Sequence, residues 1–193
     1  MKHRPWLMLI YSLPARPSTQ RVFVWRKLKT AGVLYLQHSV CLLPDDSSSR
    51  KVFDVLKNDI VERKGEARIS SILFQVTEEE AGIVSRFQMQ ADEEYQEFLG
   101  RCRDFHKELE MERKKEHFSF AEIEENEFEL DKLARWLPKI EARDFFSAKL
   151  GPQARTALKA CTADFNRYCK EVTGREVPLV SKKTASITSN ERQ

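Results

Sequence analysis

The hydrophobic pattern of the first 77 residues alternates between short apolar runs and helical periods. Residues 6–14 form an apolar run of strand length that is too short to cross a membrane. Start and stop signals for a helix follow, since Pro17 and Ser18 suit a helix start and Gly32 suits its end. The next apolar run, residues 33–44, divides into two short strands if the polar pair at 38–39 forms a bend. These periods predict a strand, a helix and a strand pair.

The same alternation then repeats once. Residues 45–49 are a polar turn whose Asp and Ser side chains can cap a helix, and Val52, Val55, Leu56 and Ile60 recur at helical spacing. A β-branched and aromatic run over residues 67–76 predicts the last strand. The order β-α-β-β-α-β is the ferredoxin-like pattern, with both helices on one face of an antiparallel sheet. Without the bend at 38–39, one long strand would replace the pair.

From Thr77 onward the apolar positions follow a helical period. Thr77 to Glu80 reads as a capping box that opens a long helix through about residue 115. A second helix is expected over residues 122–149, kinked or divided by Pro138, and a third begins at Gly151. The predicted fold class is therefore α+β. It comprises a ferredoxin-like βαββαβ domain at 1–77, an antiparallel helical bundle at 78–175, and a polar tail at 176–193 that we expect to be disordered.

Composition indicates a cytoplasmic protein with an uneven charge distribution. The chain has 193 residues, of which 41% are hydrophobic and 33% charged. Residues 1–77 contain 13 Lys and Arg against 6 Asp and Glu, whereas the rest contains 20 against 24. The basic start before residue 6 imitates a signal peptide, but Pro5 and Pro14 frame the run and we expect no export signal. The excess of cations favours contact of the N-terminal part with a polyanion.

Motifs for catalysis or metal binding are absent from the sequence. There is no Walker or dinucleotide-binding glycine loop, no HExxH and no GxSxG. The four cysteines are far apart and lack CxxC spacing, so we expect small core side chains rather than a metal site built with His38 or His106. Acidic clusters fall on predicted helix surfaces, where solvated faces and caps explain them. We therefore expect no enzyme, no cofactor and no metal.

The first helix carries the candidate DNA contacts. Cations on an exposed helix face attract phosphates without regard to sequence, and they are also common on any solvated helix. The side chains of Val22, Trp25 and Leu28 are expected to face the sheet, so core packing is favoured over base stacking for Trp25 and Phe23. The phosphate-contact candidates are Arg16, Arg21, Arg26, Lys27 and Lys29.

A second basic pair lies in the predicted helical region. Lys139 and Arg143 are four residues apart and form one strip if they share a helix. Such a strip either binds an oxyanion or pairs with the acidic first helix of the bundle. Pairing between helices is the favoured interpretation.

Four segments resemble the N-terminal region of the chromate resistance protein ChrB family. They are Trp6 to Pro14, Val24 to Lys29, Gly32 to Pro44 and Leu133 to Phe146, within a likeness that spans about residues 5–172. The resemblance implies a cytoplasmic, chromate-responsive transcriptional regulator of a chromate efflux operon. Members of that family usually continue into a second domain that we expect this chain to lack, so the resemblance does not decide whether this chain senses chromate.

The opening segment is also similar to the ferredoxin-like endonucleases of CRISPR adaptation and to the related domain of PaaX-type repressors. In those nucleases the first strand ends in Tyr-Asp, and the Asp binds the metal. This chain has Tyr11-Ser12, and a hydroxyl is a poor Mg²⁺ ligand beside a carboxylate. The change favours a scaffold over a nuclease.

The sequence therefore predicts a DNA-binding regulator associated with chromate resistance. The expected partners are DNA, the chromate oxyanion and a second copy of the chain in a homodimer, with no membrane. Two alternatives stay open: a divergent metal-dependent nuclease of the same fold, and a non-catalytic dimerisation module that pairs through the free edge of its last strand.

Overall fold

A computed structural model describes residues 4–115 and 119–175. Within these residues lie the strands β1 (Trp6–Ser12), β2 (Leu34–Gln37), β3 (Val40–Pro44) and β4 (Glu66–Ile72). The helices are α1 (Ser18–Thr30), α2 (Ser47–Glu62), α3 (Thr77–Lys115), α4 (Phe120–Glu141) and α5 (Gly151–Arg175).

The strands form one sheet in the order β2-β3-β1-β4, and every neighbouring pair is antiparallel. The chain passes from β1 through α1 to β2, and from β3 through α2 to β4. This is the ferredoxin-like arrangement, so the predicted α+β class is confirmed. The predicted bend is also confirmed, because Ser39 has a φ of 64° and lies between β2 and β3.

One face of the sheet is covered by α1 and α2. Alternate residues of a strand point to opposite faces, and Leu7 and Leu9 of β1 point toward these two helices. The helices contribute Val24, Leu28, Phe53, Leu56 and Ile60, all at most 2% exposed. Each such side chain stabilises the fold by roughly 1.5–3 kcal/mol through burial.

The opposite face of the sheet is covered as well, which the sequence analysis did not predict. Trp6 is fully buried there, and its ring stacks on Phe87 of α3 with centroids 5.8 Å apart. Phe146 packs on the same indole at 5.6 Å, and Leu34, Leu42 and Ile83 complete the buried cluster. The sheet is thus enclosed on both faces by apolar side chains.

The end of α1 and the starts of α2 and α3 lie where the sequence predicted them. Gly32, with φ of +70°, follows α1, and Asp46 caps α2 by accepting hydrogen bonds from the backbone N–H of Ser48 at 2.9 Å and of Ser49 at 2.8 Å. Helix α3 begins at Thr77. The Glu80 carboxylate accepts hydrogen bonds from the Arg4 backbone N–H and the Trp6 indole, which ties the first turn of α3 to β1.

Two predicted boundaries are wrong. Strand β4 ends at Ile72 rather than at 76, and both Leu73 and Val76 are exposed beyond the last pairing with β1. Helix α4 ends at Glu141 rather than near 149, because the chain then turns tightly through the hydrogen bonds that Asp144 accepts. Pro138 lies in the last turn of α4 without dividing it, since a proline there removes only one hydrogen bond of the helix.

The second half of α3 packs with α4 and α5. Residue numbers rise in α3 as they fall in α4, since Phe98 meets Trp136 and Glu112 meets Asn126. They rise together in α3 and α5, where Cys102 meets Cys161 and Arg113 meets Glu171. Successive helices are therefore antiparallel, as predicted. The buried apolar residues of these three helices include Phe98, Cys102, Phe105, Leu109, Leu133, Cys161, Phe165, Tyr168 and Val172.

The described residues divide into two compact units. One contains residues 4–97 and 137–152, and the other contains 98–115, 119–136 and 153–175. The two units do not divide the chain at residue 77, because α3 contributes residues to both. The predicted disordered tail, residues 176–193, lies outside the described residues.

Candidate nucleic-acid interface

Helix α1 presents two rows of exposed side chains to solvent. Residues four apart lie on the same side of a helix, so Arg21, Trp25 and Lys29 form one row and Val22 and Arg26 begin the next. All five side chains are exposed. We refer to them as the α1 basic face.

Trp25 and Val22 correct the sequence interpretation. They were expected to face the sheet, but Trp25 is 50% exposed and Val22 is 43% exposed. Val24 and Leu28, four residues apart, fill the space against the sheet and are fully buried. The signal was present in the sequence, because apolar residues 22–25 and 28 surround most of α1 and one face cannot take them all.

The exposed indole is flanked by cations. The Lys29 Nζ lies 5.7 Å from the centroid of the Trp25 ring, within the range of a cation–π contact. No Asp or Glu occurs anywhere in α1, so no carboxylate of this helix neutralises Arg21, Arg26 or Lys29. The surface therefore combines uncompensated positive charge with an aromatic ring open to solvent.

Lys27 differs from the other predicted contacts. Its Nζ donates to Asp59 of α2 at 2.5 Å and also lies over the Phe23 ring at 4.8 Å. Arg63 covers the same ring at 3.7 Å. Phe23 is accordingly half-buried between helices, and Lys27 already has a carboxylate partner.

The start of α1 adds to the positive potential. Pro17 is the N-cap residue and no side chain caps the helix, while its first turn contains no acidic residue. The amino end of a helix carries a partial positive charge, and exposed Arg16 directly precedes it. A shallow groove of about 590 Å³ follows this side of α1, with Thr19, Val22, Arg26 and Thr30 among its lining residues. Four of the predicted contacts, Arg16, Arg21, Arg26 and Lys29, are thus exposed around one helix.

Arg143 lies elsewhere and is engaged by a carboxylate. Its guanidinium pairs with Glu94 of α3 through two hydrogen bonds, and its side chain is 17% exposed. The stem of Arg143 lies over Gly32, where an added Cβ would be only 2.8 Å from the Arg143 Cβ. Arg143 thus pairs with α3 as favoured, but it lies two residues beyond the end of α4 and does not share a helix with Lys139, so the predicted strip is wrong. Lys139 is exposed, and oxyanion binding by Lys139 and Arg143 stays a prediction.

Ser12 is the last residue of β1, as the sequence predicted for the nuclease-like position. It is exposed and pairs in register with Glu66 of β4. Across residues 4–115 and 119–175, no group of three or more His, Cys, Asp or Glu side chains is arranged to hold a metal ion. Over the same residues, none of the helices is both long and apolar enough to cross a membrane.

The fold and the α1 basic face define a small α+β protein with an exposed cationic helix. A family profile described as "Protein ChrB, N-terminal" matches residues 21–177, and the chain belongs to that family. The family is linked to chromate resistance.

A curated relative gives the same assignment. Protein ChrB of Cupriavidus metallidurans (strain ATCC 43123 / DSM 2839 / NBRC 102507 / CH34) is 32% identical to this chain over 76 residues. The match covers 39% of this chain and 24% of that relative. No solved structure is significantly similar to the chain.

Proposed function

We propose that this protein is a cytoplasmic, non-enzymatic regulator of chromate resistance that binds DNA through the α1 basic face. The observation that carries the proposal is the half-exposed Trp25 between Arg21 and Lys29 on a helix without carboxylates. Such a surface attracts phosphates through its cations and offers a ring for contact with sugar or base.

The charge asymmetry supports the same surface. Residues 1–77 have an excess of Lys and Arg, and residues 78–193 have an excess of Asp and Glu. Phosphate contacts position a protein on a duplex, and three or more of them give a strong dependence of affinity on salt. The membership of the ChrB family supports chromate as the signal to which the regulator responds.

A homodimer is the second part of the proposal. Strand β4 pairs only with β1 among the described strands, and its other edge exposes unpaired N–H and C=O groups over seven residues. Such an edge can pair with the same edge of a second copy. A dimer would present two α1 basic faces to one duplex and double the number of phosphate contacts.

A mobility-shift titration tests the proposal. The probe is DNA from upstream of the protein's own transcription unit, with and without chromate. The parent protein is compared with Arg21→Ala/Arg26→Ala/Lys29→Ala, and the control is Lys51→Ala/Lys57→Ala/Lys64→Ala, which removes equal charge from exposed positions in and just after α2. We expect the α1 variant to bind at least about tenfold more weakly and the control to bind nearly as well as the parent.

Four results would contradict parts of the proposal. Equal binding by the α1 variant would exclude the α1 basic face as the contact, and absence of binding by the parent would exclude DNA. Binding that is the same with and without chromate would exclude chromate as the effector. Cleavage of the probe with Mg²⁺ or Mn²⁺, abolished by EDTA, would instead support the metal-dependent nuclease.

A further inference from the structure

Two helices of the second unit bring a pair of cysteines to a histidine and an aspartate. Cys102 and His106 are four residues apart on α3, and Cys161 and Asp164 are three apart on α5. Because these helices run side by side in the same direction, the Cys161 Sγ lies 3.5 Å from His106 Nε2 and 3.7 Å from the Cys102 carbonyl oxygen. From the sequence, these cysteines were expected to be separate core residues.

The two thiols perturb each other's pKa in opposite directions. The neighbouring Cys161 thiol lowers the pKa of Cys102, and the same interaction raises the pKa of Cys161. One sulfur of the pair thus ionises more readily while the other keeps its proton. This is the arrangement expected of a reactive dithiol.

His106 is oriented by a carboxylate. Its Nδ1 lies 2.8 Å from Asp164 Oδ2, and Asp164 also accepts a hydrogen bond from Arg113 at 3.0 Å. Burial opposes the ionisation of Asp164, but the hydrogen bonds from His106 and Arg113 lower its pKa overall. A charged Asp164 favours the tautomer with the proton on Nδ1, which leaves Nε2 as an acceptor facing the Cys161 thiol.

Cys41 shows that burial alone does not make a cysteine thiol reactive. Its thiol is fully buried in the sheet and donates to the Leu9 carbonyl oxygen, and burial raises its pKa to about 12. Buried cysteines without an activating neighbour are inert. Cys41 is therefore an internal control for the pair.

We propose that Cys102 and Cys161 are a redox-active pair that a peroxide oxidises to a reversible disulfide. The Cys102 thiolate attacks a peroxide oxygen, so an S–O bond forms, the O–O bond breaks and hydroxide leaves. Cys161 then gives its proton to His106 Nε2 and attacks the oxidised sulfur. The S–S bond forms as the S–O bond breaks, and the departing oxygen takes the proton from His106 to leave as water.

Access and reversal fit the same site. Both sulfurs are buried, but the adjacent His106 side chain is 37% exposed, so the proposal requires a small oxidant to enter beside the imidazole. In a compartment kept reducing by thiols, such disulfides are transient. A small dithiol should return the pair to its reduced form.

The test uses the full chain and measures its mass. The protein is treated with hydrogen peroxide, denatured and alkylated, with a sample reduced by dithiothreitol before alkylation. We expect two fewer alkylated cysteines after peroxide, restoration of both by dithiothreitol, and a cross-linked peptide pair that joins Cys102 to Cys161. Cys41→Ser should leave this result unchanged, whereas Cys102→Ser and Cys161→Ser should abolish it.

The role of His106 is tested by the rate of disulfide formation. His106→Ala should form the disulfide at least about tenfold more slowly near neutral pH. Its rate should rise more steeply with pH than that of the parent, because hydroxide replaces the missing base, and a merely structural residue would not alter this profile. Alkylation of all cysteines after peroxide, or a disulfide that includes Cys41 or Cys169, would overturn the proposal, and a parent-like rate and pH profile in His106→Ala would overturn the role of the imidazole.

Discussion

Helices α1 and α2 cover the same face of the same sheet but are built differently. Helix α2 has a side-chain cap at Asp46, and its cations and carboxylates balance, with Arg50, Lys51 and Lys57 against Asp54, Asp59 and Glu62. Helix α1 has no side-chain cap, four cations and no carboxylate. Both helices expose valines, but α1 also exposes Trp25.

The comparison separates what the fold requires from what it merely permits. Packing against the sheet needs an apolar stripe, and α2 provides one with Phe53, Leu56 and Ile60. Helix α1 meets the same requirement with Val24 and Leu28. The remaining exposed side chains of α1, an indole between Arg21 and Lys29, do not pack against the sheet. We infer that it serves an interaction outside the molecule.

The largest expected effect is on stability, when one buried and one exposed aromatic side chain are each replaced by alanine. Phe53→Ala removes a fully buried ring beneath α2 and should lower the free energy of unfolding by about 3–5 kcal/mol. Trp25→Ala removes a ring that is half in water, and it should change that free energy by no more than about 0.5 kcal/mol. Urea unfolding followed by circular dichroism measures both. Similar losses in the two variants would mean that Trp25 stabilises the fold, and the comparison would fail.

A smaller effect is expected at the start of α2. Asp46→Ala removes the acceptor of two backbone hydrogen bonds and should cost about 1 kcal/mol of stability. Asp46→Asn retains an acceptor and should recover most of that loss. The same unfolding measurement applies, and an unchanged midpoint in Asp46→Ala would show that the α2 cap does not contribute to the contrast with α1.

Much of the fold could be predicted from the sequence. Proline, glycine and Asp-Ser signals located the ends of α1 and α2, and the period change at Thr77 located α3. The cover on the second face of the sheet was missed because Ile83 and Phe87 continue the same helical stripe as the residues of the bundle. Periodicity shows that a face is apolar, but it does not show which element covers it.

The candidate site was predicted only in part. The cations of α1 could be identified directly from the sequence. The exposure of Trp25, however, depends on how α1 is rotated about its axis relative to the sheet, and the packing of Val24 and Leu28 fixes that rotation. Arg143 meets Glu94 only because α3 and residues 142–150 return to the same unit. The Cys102 and Cys161 contact likewise needs the parallel alignment of α3 with α5. Such long-range contacts leave little trace in local spacing.

The salt dependence of DNA affinity tests the central claim most directly. Fluorescence anisotropy at several salt concentrations gives the slope of log affinity against log salt for the parent, Arg21→Ala/Arg26→Ala/Lys29→Ala and Lys51→Ala/Lys57→Ala/Lys64→Ala. If the three α1 cations neutralise phosphates, the slope of the α1 variant should be shallower than that of the parent by up to about 3, and the control should retain the parent slope. Equal slopes in the parent and the α1 variant would contradict the assignment of the α1 basic face.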